Sequence, residues 1–207
     1  MLIHLLEFRV LPGFDAEVTA YLRHHAIDAD LSEGMISRFL GRRLGRQGRE
    51  HLAATIWRDA ASMDRGTDRA GIPRYIAPKV SLVGDTISNR YRVVASTGVG
   101  GEGARVLRLY RTSIAAGSVE IWERRALGPV GQLVAAKGLL TAVAGIAIDG
   151  DRSMEQAGSV RVVVITVWTE WNLLMAATGG RLDGALLGTQ LEDLEGPASV
   201  HHFELAA

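Results

Sequence analysis

Apolar and polar residues alternate in short blocks along this chain, and one block occurs twice. Ala53-Ala54-Thr55-Ile56-Trp57 returns as Val164-Ile165-Thr166-Val167-Trp168. Each is an apolar, β-branched run that ends on Trp and then turns polar, through Arg58-Asp59 and Thr169-Glu170. The pattern predicts a strand with a large aromatic at its exit and a helix start directly after it. The two tryptophans lie 111 residues apart (57 to 168) in a chain of 207, which predicts two similar halves.

The remaining elements fall into the same order twice. Residues 2–11 read as a strand ended by Pro12-Gly13. A helix is predicted from Phe14-Asp15 to about Asp28, with Val18, Tyr21 and Leu22 at i, i+3, i+4 spacing. Strands follow at Met35–Arg43 and Glu50–Trp57, joined by a hairpin over 44–48. Asp59 can cap a short helix reaching Arg65. Residues 66–88 are punctuated by Gly71, Pro73, Pro78 and Gly84 and read as a loop with a helical turn. Asn89–Ser96 reads as the fourth strand. Thr97–Gly103 is glycine-rich and reads as a linker. Beyond it come a strand at Arg105–Thr112, a helix from Ser118 to Leu127 with a second segment past Pro129 to Ala136, and strands at Leu139–Ile148 and Ser159–Trp168 around the turn Asp149-Gly150-Asp151. Helices over Glu170–Thr178 and Leu182–Leu191 and a strand over Ser199–Leu205 complete the pattern. Each half, 1–96 and 104–207, is thus β-α-β-β-α-β, the ferredoxin-like order, in an α+β fold. Such a sheet carries both helices on one face and leaves the other face apolar and bare, so it needs a partner. A tandem repeat supplies that partner within one chain as an intrachain pseudo-dimeric α/β-barrel; a homodimer stays open as a further level. Either half alone is expected to be unstable, with a bare apolar face.

Composition narrows the function classes. Lys plus Arg equals Asp plus Glu, 23 against 23, so no global charge recruits nucleic acid or an anionic membrane. There is no cysteine, which excludes disulfides, thiolate catalysis and Cys-based metal sites. No apolar run approaches the roughly 20 residues that span a bilayer. The N-terminus reads as the first strand and not as a signal peptide, and a cytoplasmic location is expected.

The strand Leu5-Leu6-Glu7-Phe8-Arg9-Val10 ending in Pro-Gly, the junction Thr55-Ile56-Trp57-Arg58-Asp59-Ala60-Ala61-Ser62-Met63 and its echo Thr166-Val167-Trp168-Thr169-Glu170-Trp171-Asn172 resemble the dimeric α/β-barrel superfamily, and within it the antibiotic-biosynthesis-monooxygenase-like domains. The resemblance covers nearly the whole chain, once per half. It implies a pocket between sheet and helices with Trp57 or Trp168 in its lining. The superfamily also holds haem-degrading enzymes, which carry a trio of Asn, Trp and His. Trp57 and Trp168 match that Trp. The Asn has no counterpart, since Glu7 or Phe8 and Arg108 or Leu109 stand there, and no His follows either Trp in its helix.

Strand parity nominates polar groups for the enclosed face. Glu7 and Arg9 share one face of the first strand. Aligning Val18-Thr19-Ala20-Tyr21 with Val119-Glu120-Ile121-Trp122 gives an offset of 101 residues, which pairs Glu7 with Arg108 and Arg9 with Tyr110. These residues are either the polar handles of a cavity or an internal ion pair and rim side chains. Trp57 and Trp168 are core aromatics at a strand–helix corner, or pocket walls as the resemblance implies. Trp122 and Trp171 read as packing residues. His51 shares parity with Thr55 and Trp57 and can act as a proton carrier near neutral pH. His201 and His202 point to opposite faces and cannot chelate one metal together; one of them could enter a pocket. No metal or other cofactor is expected.

Two motifs carry no function. Gly98-Val99-Gly100-Gly101-Glu102-Gly103 matches G-x-G-x-x-G, but a strand follows it where the dinucleotide fingerprint needs a helix. Arg38, Arg42, Arg43, Arg46 and Arg49 read as a solvated hairpin and not a nucleic-acid patch. The expected function is a cofactor-independent monooxygenase acting on a small hydrophobic or aromatic substrate. Arg9, His51 and Tyr110 would position or deprotonate it; Glu7, Trp57, Arg108 and Trp168 would line the pocket. The alternatives are a non-catalytic ligand-binding or stress-response barrel and a haem-binding protein. Because the polar groups differ, the two pockets are expected to be inequivalent, with the functional one in the first half near Trp57, Arg9 and His51.

Overall fold

A computed structural model describes residues 1–27, 32–45, 49–98, 100–132, 135–148, 158–183 and 196–206. The elements are β1 (Leu2–Val10), α1 (Asp15–Ile27), β2 (Met35–Arg43), β3 (Glu50–Trp57), α2 (Ala60–Gly66) and β4 (Val83–Thr97), then β5 (Val106–Ala115), α3 (Val119–Gln132), β6 (Leu139–Ala147), β7 (Ser159–Trp168), α4 (Trp171–Ala177) and β8 (Ser199–Leu205). This is β-α-β-β-α-β twice, an α+β fold of tandem ferredoxin-like units. The chain forms two compact units: Met1–Arg90 with Phe203–Ala207, and Tyr91–His202. The boundaries fall inside β4 and β8. None of the described helices is long and apolar enough to cross a membrane.

In the first unit β3 lies between β1 and β2, antiparallel to both. The end of β8 adds to β2, with Gly41 opposite Leu205. One sheet face meets α1 through Leu6, Phe8, Leu40 and Ala53 against Val18 and Leu22. Asp59 caps α2 as expected, accepting from Ser62 N at 2.8 Å. In the second unit β7 lies between β5 and β6, and β6 pairs with the second part of β4. Here α3 packs Trp122, Ala126 and Val130 on Tyr110 and Ile114 and on Ala142 and Ala144 of β6.

Two elements differ from expectation. β4 starts at Val83 and not at Asn89, because residues 84–87 are all exposed and so carry no period-two signal. α3 passes Pro129 without a break, since Trp122, Ala126 and Val130, four apart, keep one face in the core on both sides of it. The helix expected at Leu182–Leu191 and the turn at 149–151 fall wholly or mostly outside the described residues.

The internal repeat reaches the backbone hydrogen bonds. Leu2 and Val106 stand opposite the two junction tryptophans in β1 and β5, and Met35 and Leu139 do so in β2 and β6, each with a bulge two residues on. Arg58 N donates to Gly34 O, and Thr169 N to Gly138 O. Gly34 and Gly138 have φ of +81° and +80°, and a Cβ at either would overlap the helix that follows its Trp, at Ser62 or Leu173. Both left-handed backbone and lack of space demand glycine here. Gly34→Ala and Gly138→Ala should therefore each lower stability by about 2 kcal/mol or more, from overpacking plus backbone strain. Equilibrium urea unfolding measures this; a loss below roughly 0.5 kcal/mol at either position would contradict the equivalence of the two corners.

Candidate functional site

The feature shared by both units is a Thr–Trp corner. Trp57 Nε1–H donates to Thr55 Oγ1 at 2.9 Å, and Trp168 Nε1–H donates to Thr166 Oγ1 at 2.9 Å. Both indoles are fully buried. Trp57 packs with Met35 and Met63, Trp168 with Val106 and Leu174. A buried indole needs an acceptor, and the threonine two residues back on the same strand face provides it.

Directly opposite these threonines stand His4 in β1 and Arg108 in β5. The offset between the first strands is thus 104 residues, and the 101-residue alignment is corrected. An odd change of register moves every side chain to the other face. Glu7 therefore does not correspond to Arg108, nor Arg9 to Tyr110; the counterparts are His4 with Arg108 and Leu6 with Tyr110. The same offset matches Val18 with Trp122 and Leu22 with Ala126 in the helices, all buried.

The pocket expected around Trp57, Arg9 and His51 is also corrected. In the β1–β3 register Phe8 faces His51 while Arg9 faces Glu50, so Arg9 and His51 lie on opposite faces of the sheet. Arg9 is a surface residue, its side chain 62% exposed and paired to Glu50 at 3.3 Å. Glu7 shares its face and is half-buried. Trp57 and His51 do share a face, but they are six residues apart on β3, about 20 Å at strand rise. His51 lines a separate cleft beside α1.

The second unit does bring predicted residues together. Arg108, Tyr110, Thr166 and Trp168 project to the same face of the β5–β7 pair. The Arg108 guanidinium, 1% exposed, lies 5.7 Å from the centre of the Tyr110 ring. Burial lowers its pKa to about 10, with Tyr110 and Asp183 acting the other way, so it stays cationic at neutral pH. His202 of β8 stands near it. Burial, then Arg108 and His201, push the His202 imidazole down to about 4, so it is neutral at pH 7. Its Nε2 is buried with no hydrogen-bond partner among the described residues. The Trp171 ring, at the start of α4, meets the His202 ring edge-on at 5.1 Å and is 37% exposed. A fixed cation, a neutral imidazole and three aromatic rings thus share one corner. Sequence reasoning admitted one of His201 and His202 to a pocket without choosing between them, and read Trp171 as packing. The signal for Trp171 lay in its place three residues after the junction Trp, at the mouth of the same corner.

The first unit has the neutral version of this corner. His4 is fully buried, and its Nε2 and Ser88 Oγ share a hydrogen bond of 2.9 Å. Burial and then Arg90 lower its pKa to about 4 from an ordinary 6.5. Below pH 6.5 the unfolded chain takes up a proton that the folded chain refuses until about pH 4. Stability from this group is full above 6.5 and lost as pH falls through that window, up to about 3 kcal/mol over the whole span. Urea unfolding near pH 7.5 and near pH 5 should show the wild type losing about 2 kcal/mol more than His4→Gln does. Equal losses would show that His4 does not titrate this way.

No family model matches this chain, and no curated protein matches it. Solved structures do, along its whole length. A provisionally named monooxygenase from Fusobacterium nucleatum is similar with a TM-score of 0.75 at 10% identity, covering 100% of this chain and 92% of that one. An anthrone oxidase-like protein is similar with a TM-score of 0.63 at 12% identity, covering 99% and 90%. A ferredoxin-fold protein related to antibiotic biosynthesis monooxygenases, from Listeria monocytogenes, gives 0.51 at 8% identity, covering 98% and 94%. At these identities the likeness is one of fold.

Proposed function

On the fold of the antibiotic-biosynthesis-monooxygenase-like proteins in the dimeric α/β-barrel superfamily, we propose that this chain is a cofactor-independent monooxygenase, cytoplasmic, acting on a small flat phenol or enolisable aromatic ketone. The halves 1–96 and 104–207 are read as a duplication in which the second carries the chemistry. The observation that supports this most is the buried Arg108 cation beside the unpartnered Nε2 of neutral His202. An anion formed next to Arg108 is stabilised in a low-dielectric site where a fixed charge acts strongly.

The roles follow from position. His202 Nε2 takes the acidic proton of the substrate. Its low pKa rises once an oxyanion sits beside it, since an opposite charge favours the imidazolium. Arg108 holds the enolate oxygen, and the Tyr110 ring holds Arg108. Trp168 forms the floor and Trp171 the mouth, both offering flat apolar surface. For a methylene substrate the carbanion adds to dioxygen, the peroxide anion so formed takes up a proton, and loss of water from the hydroperoxide leaves a carbonyl. One molecule of O2 is consumed per CH2 converted to C=O, with one water released. Arg9 and His51 have no part in this reaction.

Oxygen uptake with a hydroxylated anthrone, followed at the quinone absorbance, tests it. Arg108→Met and His202→Ala should each lower kcat/KM by about 100-fold, the scale of losing one charge-stabilising or proton-transferring group. Arg9→Ala should stay within about twofold. Saturable binding of the anthrone without oxygen uptake would replace the enzyme by a ligand-binding protein. A Soret shift on haemin titration, with no anthrone turnover, would replace it by a haem-binding one.

A further inference from the structure

The first unit holds a second polar ensemble, at the opposite end of β3 from Trp57 and independent of the oxygen chemistry. An open cleft of about 410 Å³, its solvent side included, is lined by Thr19, Arg23, Arg42, His51 and Glu204 with apolar neighbours. His51 is 1% exposed, and its ring stacks on Phe8 at 5.5 Å. Its Nδ1–H donates to the Arg49 carbonyl at 3.2 Å, which leaves Nε2 as an acceptor. Burial keeps the ring below its ordinary pKa, so that lone pair is present at neutral pH.

Nε2 has no hydrogen-bond partner among the described residues, and neither has Asp15 Oδ1, 3.8 Å away. Thr19 Oγ1, one turn along α1 from Asp15, is a third buried acceptor in the same condition. A carboxylate oxygen and an imidazole lone pair facing each other cannot satisfy one another. A donor about 2.9 Å from each would satisfy both. Three acceptors match the three N–H bonds of an ammonium group, whereas a water supplies only two donors. Arg23, a further turn along the same face of α1, stands at the rim and makes no ion pair among the described residues. Arg42 is already paired with Glu204 at 3.3 Å. In the second unit the positions of His51 and Arg42 are held by buried Val162 and Ile146, so the ensemble occurs once.

We propose that this cleft binds a small primary ammonium compound, specifically a free amino acid, with its ammonium among Asp15, Thr19 and His51 and its carboxylate on Arg23. Titration of the full chain with L-leucine, L-alanine and n-butylamine, read by imidazole 15N NMR, tests this. The His51 Nε2 resonance should shift saturably with millimolar or tighter affinity for an amino acid. Thr19→Val, nearly isosteric, and Asp15→Asn, whose amide can itself donate to Nε2, should each weaken binding at least about tenfold. n-Butylamine should bind more weakly than leucine, and Arg23→Gln should erase the difference. No saturable His51 response to any of the three up to about 20 mM would overturn the site. So would a response that Thr19→Val and Asp15→Asn leave unchanged. Equal binding of amine and amino acid would overturn the carboxylate contact.

Discussion

The hydrogen bond from a junction tryptophan to the threonine two residues before it organises each unit. A buried indole N–H left without an acceptor would cost about 1–3 kcal/mol. The threonine removes that cost without leaving the strand, so the bulkiest side chain of the core can sit at the strand exit. Everything near it is then constrained. The helix that follows must leave room, which is why Gly34 faces Ser62 and Gly138 faces Leu173 with no Cβ between. The neighbouring strand must bulge beside the tryptophan, as β2 does after Met35 and β6 after Leu139. The same corner built twice from different side chains is the evidence for duplication that the backbone provides.

With the corner fixed, register decides which polar groups meet. Strand parity lets only residues an even number of positions apart share a face. Counting from the tryptophans puts His4 and Arg108 opposite the threonines, and Arg9 on the far side of the sheet from His51. The second unit gathers Arg108, Tyr110, Thr166 and Trp168 for the same reason. His51, six residues from Trp57, belongs to a different neighbourhood altogether. Two polar ensembles result, one in each unit, and the described residues do not repeat either in the other unit.

Much of the fold was legible because its signals are local. The twice-repeated β-branched run with Trp at its end and Asp59 as a cap both lie within a few residues of what they specify. The helix–helix alignment that set the offset at 101 was the weak step. It matched Val18 to Val119 on similarity, while burial matches Val18 to Trp122, a pairing that no residue likeness suggests. The error of three residues was small in length and complete in consequence, since it exchanged the two faces of the first strand. His202 stayed illegible for another reason: its neighbour Arg108 is 94 positions away along the chain (108 to 202), and only the folded sheet brings them together. The exposed first part of β4 had no pattern to read.

The difference between His4 and Arg108 bears most directly on function. The first unit fills its corner with an imidazole that burial keeps neutral and whose Nε2 shares one hydrogen bond with Ser88. The second unit fills it with a guanidinium that remains charged at neutral pH despite being almost wholly out of water. Taking such a charge from water costs several kcal/mol after relaxation. The Tyr110 ring beneath it and the Asp183 carboxylate, which also favours the charged form, return part of that cost. A side chain that served packing alone would do better without the charge, as the histidine at the matching place shows is sterically open to this fold. A cation kept in the core beside a neutral imidazole is what the proposed chemistry draws on, since a fixed charge out of water acts strongly on negative charge brought next to it.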